Sequence, residues 1–189
     1  MKVIGITGGI GCGKTTFTNY LKTKSFEVID ADEIVSKLFA DPSIQEQIVS
    51  IVGTTDKSQL RKIVFQSDVK RKDLESILHP HVIEVIEAEI NQHRSRTTKF
   101  LFVSIPLLFE KDLTALFDET VAIVCEEDMQ LKRLRERDGN EDRLSLQMIR
   151  SQLSNVEKAK KADTVIHNDG SIEGFHRSIE SYLQKIRNS

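Results

Sequence analysis

The run Lys2-Val-Ile-Gly-Ile-Thr7, followed at once by Gly8-Gly-Ile-Gly-Cys-Gly-Lys-Thr15, constrains this chain more than any other stretch. A short, β-branched apolar segment ended by glycine reads as a buried strand. From about Gly13 to Lys24 the spacing turns helical, with Phe17, Tyr20 and Leu21 on one side. Residues Gly8 to Thr15 fit G-x-x-x-x-G-K-[ST] in full, in the strand-to-helix context that gives the pattern its meaning. With glycine at about 7% of residues, a match somewhere in such a chain arises by chance with a probability on the order of one per cent. A plain glycine turn is the bland alternative, and the strand–helix context weighs against it. Glycines let the backbone curl so that successive N–H groups face phosphate oxygens. The helix start adds its free amides and the positive end of its dipole. In this reading Gly9, Gly11, Cys12, Gly13, Lys14, Thr15 and Thr16 hold the phosphates of a nucleotide. Lys14 reaches the β- and γ-phosphates, and Thr15 offers its hydroxyl to Mg²⁺.

The rest of the chain alternates strands and helices. Phe26–Ile29 reads as a second strand with Asp30-Ala-Asp32 at its end, and Asp32 opens a helix with Ile34, Val35, Leu38 and Phe39 as its apolar face. From Ser43 to about Arg94 the pattern is helical, with apolar residues at spacings of three and four (Ile44, Ile48, Ile51; Leu60, Ile63, Val64; Val82, Val85, Ile86). Val52 to Asp56 reads as a loop, and His79-Pro80 as a helix boundary, because proline disfavours helical geometry in the residue before it. Phe100–Ser104, Thr120–Cys125 and Asp163–Ile166 read as further strands. Helices are expected over Met129–Glu136, in two pieces from Arg143 to Lys161, and from Ser171, as the cap, to about Ile186. Such alternation implies a parallel sheet with helices on both faces, and the helical block between the second and third strands is too long for a simple crossover.

Composition narrows the partners. Net charge is −2, which gives no electrostatic case for nucleic acid or a membrane surface. Cys12 and Cys125 are too few and too far apart for a disulfide framework or a metal knuckle, so two reduced thiols and a cytoplasmic address are expected. The apolar segment at the amino terminus is too short for a signal sequence or a membrane span.

A phosphate loop alone does not select a reaction. A GTPase calls for an Asn-Lys-x-Asp motif, which is missing, and a motor-type ATPase for a strand ending in Asp-Glu or Asp-Asp, whereas the third strand ends in Val103-Ser-Ile-Pro106 and the fourth in Val124-Cys-Glu126. A small kinase needs an acceptor pocket, a base and an arginine-bearing lid. Asp30 and Asp32 fall at the carboxyl end of a strand, where doubly wound folds bind ligands. From spacing alone, a base or metal-holding role stands level with a helix N-cap role.

The set Thr7-Gly-Gly-Ile-Gly-Cys-Gly-Lys-Thr15, Val28-Ile-Asp-Ala-Asp32, Leu78-His-Pro80, Pro106-Leu-Leu-Phe-Glu110 and Asn168-Asp-Gly170 closely resembles dephospho-CoA kinases, in order and along the whole chain. The resemblance implies an α/β P-loop NTPase fold: a five-stranded parallel sheet flanked by helices, with an inserted helical acceptor-binding subdomain and an arginine-bearing lid. It implies one kinase domain over 1–189, with a core of 1–40, 98–136 and 160–189, a CoA-binding insertion over about 41–97 and a lid over about 137–159. The activity implied is transfer of the γ-phosphate of ATP to the ribose 3′-hydroxyl of dephospho-CoA, with Mg²⁺, by a cytoplasmic monomer. Asp32 becomes the general base, His79 part of the CoA-binding region, and Pro106, Leu107 and Leu108 the lining of the acceptor site. For His79 a helix end before Pro80, and for Pro106–Glu110 a strand end plus turn, are the bland alternatives. Arg137 is the favoured lid arginine and Arg143 the second, with Arg133 an equal alternative; a solvated charged face is their bland reading. Asn168 and Gly170 match the turn that lies against adenine.

Three positions depart from the family pattern. Cys12 stands where serine is usual, with its backbone N–H expected to face phosphate and its thiol open to oxidation or alkylation. His167 replaces a common aspartate. The chain is shorter between Gly53 and Gln59, without the usual Asp-Gly turn. A nucleoside or nucleotide kinase of similar layout, and a nucleotide-dependent binding switch, are the rival readings.

Overall fold

In a computed structural model, which describes residues 1–56, 59–60, 63–64, 67–96, 98–139 and 142–188, the central strand is the one that leads into the glycines. The strands are β1 (Lys2–Gly8), β2 (Glu27–Asp30), β3 (Phe100–Ser104), β4 (Glu119–Val124) and β5 (Thr164–His167). They form a parallel sheet in the order β2-β3-β1-β4-β5. β1 pairs with β3 (Ile4 opposite Phe102) and with β4 (Thr7 opposite Ala122), and β4 pairs with β5 (Val121 opposite Thr164). The chain thus leaves β1 towards one edge, returns through β3, and fills the other edge last. Such a reversal opens a crevice at the carboxyl ends of the central strands, where doubly wound sheets bind ligands.

Helices supply the cover that a parallel sheet needs on its faces. Among the described residues the chain forms α1 (Lys14–Thr23), α2 (Ala31–Leu38), α3 (Pro42–Val52), α4 (Asp68–Arg94), α5 (Glu127–Asp138), α6 (Asp142–Arg150), α7 (Asn155–Lys161) and α8 (Ile172–Arg187). Ser171 caps α8 as its sequence predicts, its hydroxyl accepting from the Gly174 amide. α8 buries Phe175, Ile179, Tyr182, Leu183 and Ile186, a helical stripe, against Phe17 and Leu21 of α1 and against Ile4, Ile6, Phe102 and Ile123 of the sheet.

Two compact units divide the chain: Met1–Ile29 with Arg96–Ser189, and Asp30–Ser95. The second unit is helical and takes in α2 as well as the stretch from residue 41. The reason lies in the apolar face of α2. Val35 and Leu38, with Phe39 just beyond, pack on a cluster of Ile44, Ile48, Val52, Leu60, Ile77 and Leu78.

His79-Pro80 does not end a helix. α4 runs unbroken from Asp68 to Arg94 with Pro80 inside it. A mid-helix proline removes one hydrogen bond and crowds the preceding turn, at a cost of about 3 kcal/mol. Apolar burial on both sides of the proline offsets this: Ile77 and Leu78 before it, Val82, Ile86 and Ile90 after it. Tertiary packing here overrides local backbone preference. Ile51, part of the periodic pattern, lies on the exposed side of α3. The shortened loop over 53–59 includes residues 57 and 58, which lie outside the described residues.

Candidate active site

Gly8 to Thr15 forms a loop from the end of β1 into α1, as the glycine pattern requires. Gly13, at the N-cap of α1, has φ of +99°, a conformation that side chains disfavour, and a Cβ there would lie 2.3 Å from Asn168 Nδ2. At Gly9 a Cβ would meet Asn155 Oδ1 at 2.4 Å and Cys12 Sγ at 3.1 Å, so the underside of the loop is filled. A side chain at either position would displace the polar side chains packed against the loop, and at Gly13 it would also strain the backbone.

A shell of polar side chains holds this backbone. Ile10 donates its amide to Gln152 Oε1 (2.9 Å), and its carbonyl accepts from Gln130 Nε2 (2.6 Å). Asn168 Nδ2 donates to the Cys12 carbonyl (2.9 Å). Arg133 reaches the Gly11 carbonyl (3.2 Å) and the Asn168 carbonyl (2.9 Å) with one guanidinium, joining the loop to the turn after β5. Asn155 Nδ2 sits within reach of Cys12 Sγ, the Cys125 carbonyl and Gln130 Oε1. None of Gln130, Gln152 or Asn155 was singled out from sequence, because a lone amide side chain carries no spacing signal.

The Cys12 amide, expected to face phosphate, instead donates to the Gly9 carbonyl (3.0 Å) and closes a turn within the loop. The amides at the start of α1 point out of the helix end, the ordinary arrangement for holding an anion. Lys14 Nζ donates to Ser104 Oγ (3.2 Å) at the end of β3. Thr15 lies exposed on the first turn of α1, with Thr16 half-buried beside it.

Thr15 suits Mg²⁺. That ion keeps several waters, takes substrate phosphates as ligands, and needs few donors from the protein. Among the described residues no cluster of three His, Cys, Asp or Glu side chains forms a metal cage.

The Pro106–Glu110 turn is fixed by its polar atoms. The Pro106 carbonyl accepts from Thr7 Oγ1 (3.0 Å) and from Lys158 Nζ (3.0 Å). Lys158, wholly buried, also pairs with Glu110 Oε1 at 2.7 Å, and the same oxygen accepts the Leu153 amide at 2.9 Å. One buried lysine thereby ties the turn after β3 to α7. Pro106 and Leu107 are half-buried, whereas Leu108 is fully buried and packs where a Cβ on Gly5 of β1 would lie. For Leu108 the strand-end-plus-turn reading describes what is seen.

Arg137 pairs with its neighbour Asp138 (2.7 Å), and Arg143 is exposed on α6. Of the three lid candidates, Arg133 is the one that touches the phosphate loop. Asp169 accepts the Glu126 amide (2.7 Å), so the turn after β5 also anchors the end of β4, while Gly170 is exposed. His167, at the end of β5, is exposed with Nδ1 3.6 Å from Asp169.

In the helical unit, Asp30 is the N-cap of α2, its carboxylate accepting the Asp32 amide (2.9 Å). The capping role that sequence left open between the two aspartates belongs to Asp30. Asp32 occupies the exposed first turn of α2. His79 is half-buried in mid-α4.

The family model for dephospho-CoA kinase matches residues 2–174. The chain belongs to the dephospho-CoA kinase family. It is 36% identical to the dephospho-CoA kinase of Fusobacterium nucleatum, over 97% of this chain and 98% of that one. With the Carboxydothermus hydrogenoformans dephospho-CoA kinase it shares 38% identity over 98% and 94% of the two chains. Among solved structures, dephospho-CoA kinase from Campylobacter jejuni superposes with a TM-score of 0.69 at 27% identity, covering 97% of this chain and 96% of the other. Dephospho-CoA kinases are ATP-dependent enzymes that phosphorylate a hydroxyl group, and their reaction is a step of coenzyme A synthesis. No helix among the described residues is long and apolar enough to cross a membrane.

Proposed function

We propose that this chain moves the γ-phosphate of ATP onto the ribose 3′-hydroxyl of dephospho-CoA, giving coenzyme A and ADP in the cytoplasm. The observation that carries the reading is the phosphate loop held from beneath by five polar side chains, in a chain that the family model matches almost throughout. A loop so held has its donors in place before the nucleotide arrives, and catalysis of phosphoryl transfer is mostly positioning and charge stabilisation.

In the proposed reaction, Asp32 accepts the proton of the 3′-hydroxyl as the oxygen–phosphorus bond forms. The bond to the β-phosphate oxygen breaks in line, and Lys14 steadies the charge that develops on the departing ADP. The Thr15 hydroxyl would hold Mg²⁺ together with ATP, and the ion would supply neutralising charge to the phosphates. Asn168 and Gly170 border the adenine, and Arg137 or Arg143 reaches the transferring phosphate when the lid closes. Arg133 acts as a brace, since its guanidinium already holds two carbonyls of the nucleotide site. Pro106, Leu107 and His79 contact the acceptor.

A coupled ADP-release assay tests the proposal. Dephospho-CoA should stimulate ADP release far above the rate with adenosine, AMP or a 3′-deoxy analogue. Preference for a bare nucleoside or monophosphate would instead identify a nucleoside or nucleotide kinase. ATP binding with no acceptor-stimulated release would identify a binding switch.

A further inference from the structure

The chain contains two cysteines, 113 positions apart in sequence, and the fold brings them together directly under the phosphate loop. Cys125 Sγ lies 3.2 Å from Cys12 Sγ. Cys12 is fully buried and Cys125 nearly so, at 0% and 6% exposure. We propose that Cys12 and Cys125 are an oxidisable dithiol, closed to an intramolecular disulfide by a hydroperoxide and reopened by a dithiol reductant, and that closing it disables nucleotide binding. The proposal rests on the phosphate-loop reading and is independent of the acceptor.

The geometry distinguishes the two sulfurs. The Cys125 thiol donates towards Cys12, and Asn155 Nδ2 approaches Cys12 Sγ at 3.3 Å. These contacts favour the Cys12 thiolate, with the hydrogen bond from Cys125 the main cause and the Arg133 charge a smaller one, so the Cys12 thiol is held below its ordinary pKa against the effect of burial. Cys125 is pushed up, first by its bond to Cys12 and then by burial. Cys12 is therefore the nucleophile and Cys125 the resolving thiol.

The chemistry balances as follows. The Cys12 sulfur attacks the distal oxygen of the hydroperoxide; an S–O bond forms, the O–O bond breaks, and the alcohol (water, for hydrogen peroxide) leaves with a proton. The Cys125 sulfur then attacks the sulfenic sulfur, the S–O bond breaks, and water departs with the Cys125 proton. Two thiols lose two electrons, and the peroxide gains them.

Bond formation brings the sulfurs to about 2.0 Å, so they close by about 1.2 Å from their 3.2 Å separation. The loop has no slack to absorb this movement. Cys12 Sγ lies 3.1 Å from the place a Cβ on Gly9 would take, the Cys12 amide closes the loop's turn, and the Cys12 carbonyl is held by Asn168. A shift of about 1 Å in a positioned group costs about 10²-fold in function. Because both thiols are buried, peroxide must enter through motion of the loop, and a bound nucleotide that stills the loop protects them.

The test uses the full-length wild-type chain without nucleotide, treated with hydrogen peroxide, then denatured for thiol titration, intact mass and non-reducing peptide mapping. The expected product has lost both thiols and the mass of two hydrogens, with residues 12 and 125 in one linked peptide. ATP affinity measured by direct binding falls by about 10²-fold. Dithiothreitol restores it, and saturating ATP slows the oxidation. Cys125→Ala, with Cys125→Ser as a second version, keeps its ATP affinity at the peroxide dose that closes the wild-type pair. Oxygen added to Cys12 while Cys125 stays reduced would overturn the proposal. So would a disulfide that leaves ATP affinity unchanged, or loss of affinity in Cys125→Ala at the wild-type rate. The wild-type mass and binding measurements decide the matter even where a variant fails to fold.

Discussion

Lys14 Nζ donates a hydrogen bond to Ser104 Oγ over 3.2 Å, joining the first residue of α1 to the buried last residue of β3. The contact orients the lysine chain along the carboxyl ends of two neighbouring strands. Lys14→Met removes the charge expected to meet the β- and γ-phosphates and should lower kcat/KM by about 10²–10³-fold. Ser104→Ala removes one neutral partner of the ammonium and should raise the KM for ATP by about two- to tenfold, in keeping with a single net hydrogen bond. Steady-state kinetics with varied ATP separates the two. Equal losses would mean that Ser104 does more than orient Lys14.

Asp30 and Asp32 stand two residues apart and should behave differently. Asp30→Ala removes the cap of α2 and should cost about 1 kcal/mol of stability, seen in urea unfolding, with turnover little changed. Asp32→Asn keeps the amide that Asp30 caps, so stability and ATP affinity should hold while turnover falls by about 10²–10⁴-fold. Near wild-type turnover in Asp32→Asn would remove it from the base role.

Sequence made some parts of this molecule legible and hid others. The strands were readable because each is a short, nearly continuous apolar run with helices between, the signature of a sheet covered on both faces. Ser171 was readable because capping is a local interaction. Pro80 misled for the converse reason: its local preference is real, but burial of Ile77, Leu78, Val82 and Ile86 outweighs it. At the candidate site the glycines and Lys14 announce themselves by spacing. Gln130, Gln152 and Asn155 do not, since each acts on atoms more than 20 positions away in sequence. The choice of Asp30 over Asp32 as cap depended on one carboxylate-to-amide distance, which spacing leaves undetermined.

Lys158 illustrates the same point with a larger energy. It reads as one of several lysines in a charged helix, yet it is fully buried against Glu110 and the Pro106 carbonyl. Lys158→Met alone leaves the Glu110 carboxylate without its counter-charge and should cost about 3–5 kcal/mol. Replacing both, as Lys158→Met with Glu110→Leu, should cost clearly less than the single change, because no isolated charge remains. Glu110 Oε2 is already buried without a partner, so the pair is incompletely satisfied and a well-packed apolar replacement has little to recover. Urea midpoints for both proteins check this; a neutral Lys158→Met would show that water reaches the site.

Asp163 should leave a mark on acid stability. Its carboxylate accepts from the Thr120 hydroxyl (2.7 Å) and the Thr120 amide (2.8 Å), linking the starts of β4 and β5. Those two bonds, the hydroxyl's first, hold the carboxyl below its ordinary value. The folded chain therefore binds this proton less readily than the unfolded chain, whose aspartates titrate near 3.9. The contribution is complete above that value and is lost as pH falls through the lower, folded one. Asp163→Asn should narrow its stability gap to the wild type as pH drops from about 5 to about 2. Thr120→Val, which removes the first donor, should move the wild-type acid transition upward. Urea unfolding across that range tests both, and a gap that stays constant with pH would mean the carboxylate carries no linkage to folding.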